Sequence, residues 1–67
     1  MADSRVININ VASEAELAQI AEIGIQHARK IIEYRAKHGR FKTIDELSKV
    51  PGIDKVILRD IRTSVTV

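Results

Sequence analysis

Two stretches of this chain, SEAELAQIAEIGIQHARKII (residues 13–32) and TIDELSKVPGIDKVILRDIR (residues 43–62), align without a gap at an offset of thirty residues. Glu16 meets Glu46, Leu17 meets Leu47, Ile23 meets Ile53, Arg29 meets Arg59 and Ile31 meets Ile61, with Ser13/Thr43 and Ile20/Val50 as conservative pairs. Self-similarity of this kind reads as a duplicated unit whose copies bury their apolar faces against each other. Each unit opens with a capping box, Ser13-x-x-Glu16 and Thr43-x-x-Glu46, in which the hydroxyl accepts from an early helix amide and the glutamate accepts from the cap amide. Short helices are therefore predicted over about 14–20 and 44–50, with Leu17 and Ile20, or Leu47 and Val50, three residues apart on one face.

Each predicted helix then meets a tight connection. In Val50-Pro51-Gly52-Ile53, proline takes the second place and glycine the left-handed third place of a type II turn. The equivalent turn, Ile20-Ala21-Glu22-Ile23, has glutamate where Gly52 stands, and a Cβ disfavours positive φ. The first hairpin is thus expected to shift toward a type I turn or to hold a strained residue. A second helix follows each turn. One runs over about 25–38, with Ala28, Ile31, Ile32 and Ala36 inward and Gly39 as its left-handed stop; the other runs over about 55–64, with Leu58, Ile61 and Val65 inward.

Ahead of the repeats, Val6-Ile7-Asn8-Ile9-Asn10 alternates like a strand, but no partner strand is evident. It reads as an extended arm packed on the helices, with Asn8 and Asn10 hydrogen-bonding it in place. The fold class is all-α, with four short helices in two pairs and an N-terminal arm, in one domain over residues 1–67. Its predicted core is Leu17, Ile20, Ile23, Ala28, Ile31, Phe41, Leu47, Val50, Ile53, Leu58 and Ile61.

Composition limits what such a domain does. Sixty-seven residues leave no room for a large enzyme cleft, and the absence of cysteine removes disulfides and thiolate zinc ligation. His27 and His38 are eleven residues apart with no second pair, so no metal set is expected, and no catalytic constellation or glycine-rich nucleotide loop is visible. Neither an enzyme activity nor a cofactor is expected. His27 is expected to be exposed at a helix start, and His38 exposed near a helix end. The only aromatics, Tyr34 and Phe41, suit the core or its edge better than a base-stacking platform. No apolar run approaches the roughly 20 residues that span a bilayer. Met1-Ala2-Asp3-Ser4-Arg5 lacks the pattern of a signal peptide, which points to the cytoplasm if Met1 is the native start.

The net charge of +2 is unevenly spread. Residues 1–24 sum to −3, residues 25–42 sum to +5 through Arg29, Lys30, Arg35, Lys37, Arg40 and Lys42 against Glu33, and the remainder is neutral. A basic middle suits an anionic partner. In the last helix Lys55, Arg59 and Arg62 follow four- and three-residue steps on one face.

Ile7-Asn8-Ile9-Asn10-x-Ala12-Ser13-x-x-Glu16-Leu17, Ile31-Ile32-x-Tyr34-Arg35, Gly39-x-Phe41-Lys42 and Glu46-Leu47-x-x-Val50-Pro51-Gly52-Ile53 stand in an order and spacing that cover nearly the whole chain. In this the chain resembles the tandem helix-hairpin-helix domain of the ComEA type, found in competence DNA receptors. The resemblance implies binding of double-stranded DNA without sequence preference, through Gly-hydrophobic-Gly hairpins whose amides, with those of the following helix, hold a backbone phosphate. Carried onto this chain, the contacts are Gly24, Ile25, Gln26, His27, Arg29 and Lys30 in the first repeat and Gly52, Ile53, Lys55 and Arg59 in the second, with help from Arg62.

The chain departs from that pattern at Glu22, in place of the first hairpin's first glycine, and at Asp54, in place of the second hairpin's second. Each carboxylate weakens the grip by repulsion, and Asp54 is well placed to cap the following helix and take an amide that a phosphate would use. Where the family commonly has a lysine, this chain has Gln26-His27 and Val56-Ile57. These substitutions leave room for a second reading, a protein-interaction module on the same scaffold. The resemblance to an extrinsic lumenal subunit of photosystem II, which shares the fold, implies that such a use is possible.

Overall fold

Ser13 begins the first helix as its sequence predicts: its Oγ accepts from the Glu16 amide at 3.2 Å, and Glu16 Oε1 accepts from the Ser13 amide at 2.9 Å. The computed structural model describes residues 6–67. Residues 1–5, on which the reading of a native start without a signal peptide rests, lie outside them. The elements in order are β1 (Ile7–Asn8), α1 (Glu14–Ala18), α2 (Gly24–His38), a 3-10 helix (Ile44–Lys49), α3 (Lys55–Ile61) and β2 (Val65–Thr66). The fold is all-α apart from the two short strands.

Several boundaries differ from expectation, each for a local reason. Helix α1 closes after five residues because the Gln19 and Ile20 amides reach back only three residues, to Glu16 and Leu17, which tightens the last turn. The segment after Thr43 is 3-10 rather than α. Pro51 holds Val50 in an extended conformation (ψ 128°), and the Ser48 hydroxyl donates to the Asp45 carbonyl at 2.9 Å in competition with regular helix bonding. The second capping box does not form: Thr43 makes no side-chain cap bond, and Glu46 Oε1 accepts from the Lys42 amide instead. Ala36, expected inward, is exposed.

The last helix stops at Ile61 instead of running to residue 64, which frees a β-branched stretch to extend. This supplies the partner that the N-terminal arm lacks in the sequence. Strand β1 pairs in parallel with β2, Ile7 opposite Val65 and Asn8 opposite Thr66, with the Ile7 amide donating to Ser64 O (3.0 Å) and the Ile9 amide to Thr66 O (2.9 Å). The arm is also core. Ile9 and Ala12 are buried with Val65 in one aliphatic cluster that contains every core residue predicted from the repeats.

The polar groups of the arm are matched in detail. Asn8 Oδ1 accepts from the Asn10 amide, and Asn10 bonds both backbone groups of Phe41, donating to its carbonyl at 2.9 Å and accepting from its amide at 2.6 Å. From α2, Arg35 donates to the carbonyls of Ile9 (2.9 Å) and Ala12 (3.0 Å).

The two hairpins differ as Glu22 requires. The second forms the expected turn, with the Ile53 amide donating to Val50 O at 3.1 Å and Gly52 at φ +94°. In the first, the Ile23 amide donates to Ile20 O at 2.9 Å, yet Glu22 is not left-handed; the positive φ falls two residues later, on Gly24 at +67°. His27 joins the hairpins and is half-buried rather than exposed. A methyl carbon added to Gly52 would lie 2.7 Å from its Cδ2 and 2.8 Å from its Nε2.

Three stability predictions follow from this packing. Ile31→Ala or Ile61→Ala removes a fully buried side chain from the shared core and is expected to cost about 2–5 kcal/mol in chemical denaturation. Asn10→Ala strands the amide and carbonyl of Phe41 and is expected to cost about 1–3 kcal/mol by the same measurement. Gly52→Ala combines an unfavourable φ with the clash on His27 and is expected to cost at least about 1–2 kcal/mol. His27→Ala in the same chain recovers the steric part alone, so a double-mutant cycle is expected to show coupling between the two positions.

Candidate functional site

Two helices begin next to each other across the His27–Gly52 contact, and their starts are built differently. Helix α3 is capped: Asp54 is extended, and its Oδ1 accepts from the Ile57 amide at 2.9 Å. Helix α2, twice as long, has no side-chain cap. The first amides of a helix have no partner one turn earlier and lie at the positive end of its dipole. At α2 no side chain caps that end, and Ile25 and Gln26 in its first turn are exposed. The capping role expected of Asp54 is the one it takes.

Not every amide named in the sequence is available. The Gly24 amide donates to Ile20 O at 3.1 Å, and the Ile53 amide is used in the second turn. Ile53 itself is 4% exposed and belongs to the core. The amides of these two positions are therefore already engaged: Gly24 is left-handed at the start of α2, and Ile53 is packed in the core. Ile25 and Gln26 hold the amides of the first turn of α2, and Lys55 and Val56 those of α3.

His27 Nδ1 lies 2.9 Å from the Ile23 carbonyl. A carbonyl only accepts, so Nδ1 is the donor, and in the neutral ring Nε2, beside Gly52, is left with the lone pair. The ring is thus held from its own side and lies close against Gly52 of the other hairpin.

The cations divide into two groups. Arg29 Nε sits 3.4 Å from Glu14, Arg59 Nε sits 3.5 Å from Asp60, and Arg62 is bonded to Asp45, which draws the far end of the Lys55–Arg59–Arg62 face toward the 3-10 helix. Lys30 and Lys55 are exposed and make no ion pair with a described residue. Lys30 shares a shallow groove of about 270 Å³ with Gln26, Arg29 and Glu33, immediately beyond the start of α2. The structure thus gathers Gly24, Ile25, Gln26, His27, Lys30 and Gly52 around the joined hairpins and sets Lys55 at the second helix start. Sequence reasoning missed the contact of His27 with Gly52, because nothing in their spacing signals that the two loops touch. Among the described residues no helix is long and apolar enough to cross a membrane.

Comparison with known proteins agrees with the architecture. The family described as helix-hairpin-helix motif matches residues 2–66. ComE operon protein 1 of Bacillus subtilis is 42% identical over 62 residues, covering 92% of this chain and 30% of that protein. The endonuclease/exonuclease/phosphatase family domain-containing protein 1 of Danio rerio is 39% identical over 61 residues, which is 91% of this chain and 11% of that protein. An uncharacterized protein of Haemophilus influenzae is 37% identical over 60 residues, covering 54% of its length. The chain spans less than two thirds of each of these relatives. With the family's match running nearly end to end over two hairpins and their paired helices, the chain belongs to the helix-hairpin-helix motif family as a tandem domain of the ComEA type.

Proposed function

We propose that this domain binds the backbone of double-stranded DNA without reading its sequence, and that the first hairpin carries most of the grip. The observation behind this reading is the uncapped start of α2, set beside Lys30 and Arg29, while the matching position at α3 is filled by Asp54. A phosphate at the first site would meet amides that no side chain caps, at the positive end of a fifteen-residue helix. At the second it competes with a carboxylate already bonded to Ile57. Contacts of this kind position a protein on the duplex and carry no base information. Membership of the helix-hairpin-helix family supports the same reading, and the role is one of binding rather than catalysis.

A protein-interaction role is the second reading, and one feature favours it. Ile25 and Val56, 60% and 55% exposed, project from the two helix starts, and Ile25 borders a groove of about 470 Å³ formed with Glu14, Ala15, Ala18 and Gln19. Exposed apolar side chains so placed suit a protein surface as well as a sugar edge.

Titration of a labelled duplex at several salt concentrations separates the two. For DNA binding through roughly two to four phosphates, log affinity is expected to fall against log salt with a slope of about −2 to −4, little changed by scrambling the sequence. Asp54→Gly opens the second site and is expected to strengthen binding about tenfold, while the lost cap costs a few tenths of a kcal/mol in stability. Lys55→Ala with Arg59→Ala is expected to weaken binding and flatten the slope. If neither the native chain nor the Glu22→Gly, Asp54→Gly double variant binds duplex at low salt, the DNA reading fails and the protein-interaction reading stands.

A further inference from the structure

We infer that the groove between α2 and the Val50–Ile53 turn is a further contact for the DNA backbone, which extends the footprint past the hairpins along the side of α2. The inference rests on the duplex reading above. The groove holds about 240 Å³ and is lined by Lys30, Tyr34, Lys37 and His38 of α2 and by Lys49 and Pro51 across from them, with Glu33 as its one carboxylate. Three lysines against one glutamate make it cationic. None of the three makes an ion pair with a described residue, in contrast to Arg29, Arg59 and Arg62.

The position of the groove ties it to the candidate interface. Lys30 and Glu33 also border the shallower groove that begins at Gln26, so the two form one run from the start of α2 toward its end. Pro51 adjoins Gly52, so the opposite wall abuts the second hairpin.

The arrangement of charge selects a polymer over a single small anion. Lys30 and Lys37 are seven residues apart on α2, two turns or about 10.5 Å along its axis. Cations spread over that length do not converge on one phosphate. They do match a strand that carries one charge about every 3.4 Å of duplex axis. The polar wall is also ordered, since Tyr34 stacks on His38 at 4.2 Å and on Phe41 at 5.3 Å, which anchors this part of the groove to the core. A groove of this kind recognises phosphate spacing and leaves base sequence unread.

The test compares the native chain, a Lys37→Ala, Lys49→Ala double variant and an Arg40→Ala, Lys42→Ala control on a duplex of roughly 20 base pairs, about 68 Å long. The control removes the same charge from two exposed residues that line none of the grooves described above. All three chains are first shown to melt alike. Each phosphate contact contributes a slope of about 0.9. The Lys37→Ala, Lys49→Ala chain is therefore expected to lose about 1–2 from the salt slope and to bind about five- to thirtyfold more weakly at low salt. The control, which loses the same two charges from the basic segment but no groove contact, is expected to weaken binding by about two- to threefold and to leave the slope nearly unchanged. If the native chain binds duplex but the double variant follows the control in both affinity and slope, this inference is overturned and the duplex reading survives. If the native chain binds no duplex, both fall together.

Discussion

Asn10 pairs with Phe41 through two hydrogen bonds across thirty-one residues, and this carboxamide joins the N-terminal arm to the junction between the repeats. Phe41 is 1% exposed and follows the glycine that ends α2, so its backbone sits where neither repeat's helices can satisfy it. Asn10 supplies the missing partners in the manner of a strand neighbour. The same arm is fixed from a second direction by Arg35 on the Ile9 and Ala12 carbonyls, and from a third by β2. A chain this short, without disulfides, draws its stability from one small core. The arm adds Ile9 and Ala12 to that core, and the polar bonds make this burial possible without stranding backbone groups.

With the repeats held in this relation, the placement of two glycines and two carboxylates decides what each hairpin offers. Glycine at position 52 allows a left-handed turn before the second helix, but Asp54 then occupies the cap. Glutamate at position 22 forbids that turn geometry, and Gly24 takes the left-handed conformation at the helix start instead, leaving no side chain to cap α2. The hairpins are thus inverse solutions to one connection: one spends its flexible residue in the turn and caps its helix, the other spends it at the helix start and leaves the helix open. His27 keeps them in contact, and the close approach of its ring requires Gly52 to have no Cβ. That demand is separate from φ, and both fall on the same residue.

The repeat made much of the fold legible. The offset of thirty residues located the helical segments and every member of the predicted core except Phe41, which lies between the repeats, and Glu22 by itself signalled that the hairpins would differ. What escaped was non-local or energetically close. The β1–β2 pairing joins the two ends of the chain, and a two-residue strand has too little pattern to announce its partner. The 3-10 helix arose because a proline downstream and a serine hydroxyl within the segment tipped a short helix that its capping box had marked as α. In the candidate site, residue types and helix starts could be read, but which amides were already engaged could not. Gly24 and Ile53 look like donors in sequence and are occupied in three dimensions, and His27 looks like a surface residue until Gly52 is seen beneath it.

The layout of charge bears on how such a domain would meet a duplex. The arginines of the helix faces are held by exposed carboxylates, in pairs worth at most about 1 kcal/mol in water. Exchanging Glu14 or Asp60 for a phosphate would therefore cost little, and in the proposed binding mode Arg29 and Arg59 would then be further cations for the duplex. The lysines of α2 make no ion pair with a described residue. Residues 25–42 carry +5 and residues 1–24 carry −3, so the domain has a charge asymmetry larger than its net charge suggests. In the field of a polyanion, that asymmetry turns the basic segment inward at a distance set by the Debye length, about 8 Å at physiological salt. Orientation by charge and retention by a few amides and lysines are separable steps. The first would fade as salt screens it, while the second, in the proposed mode, would rest on the start of α2, which no side chain caps.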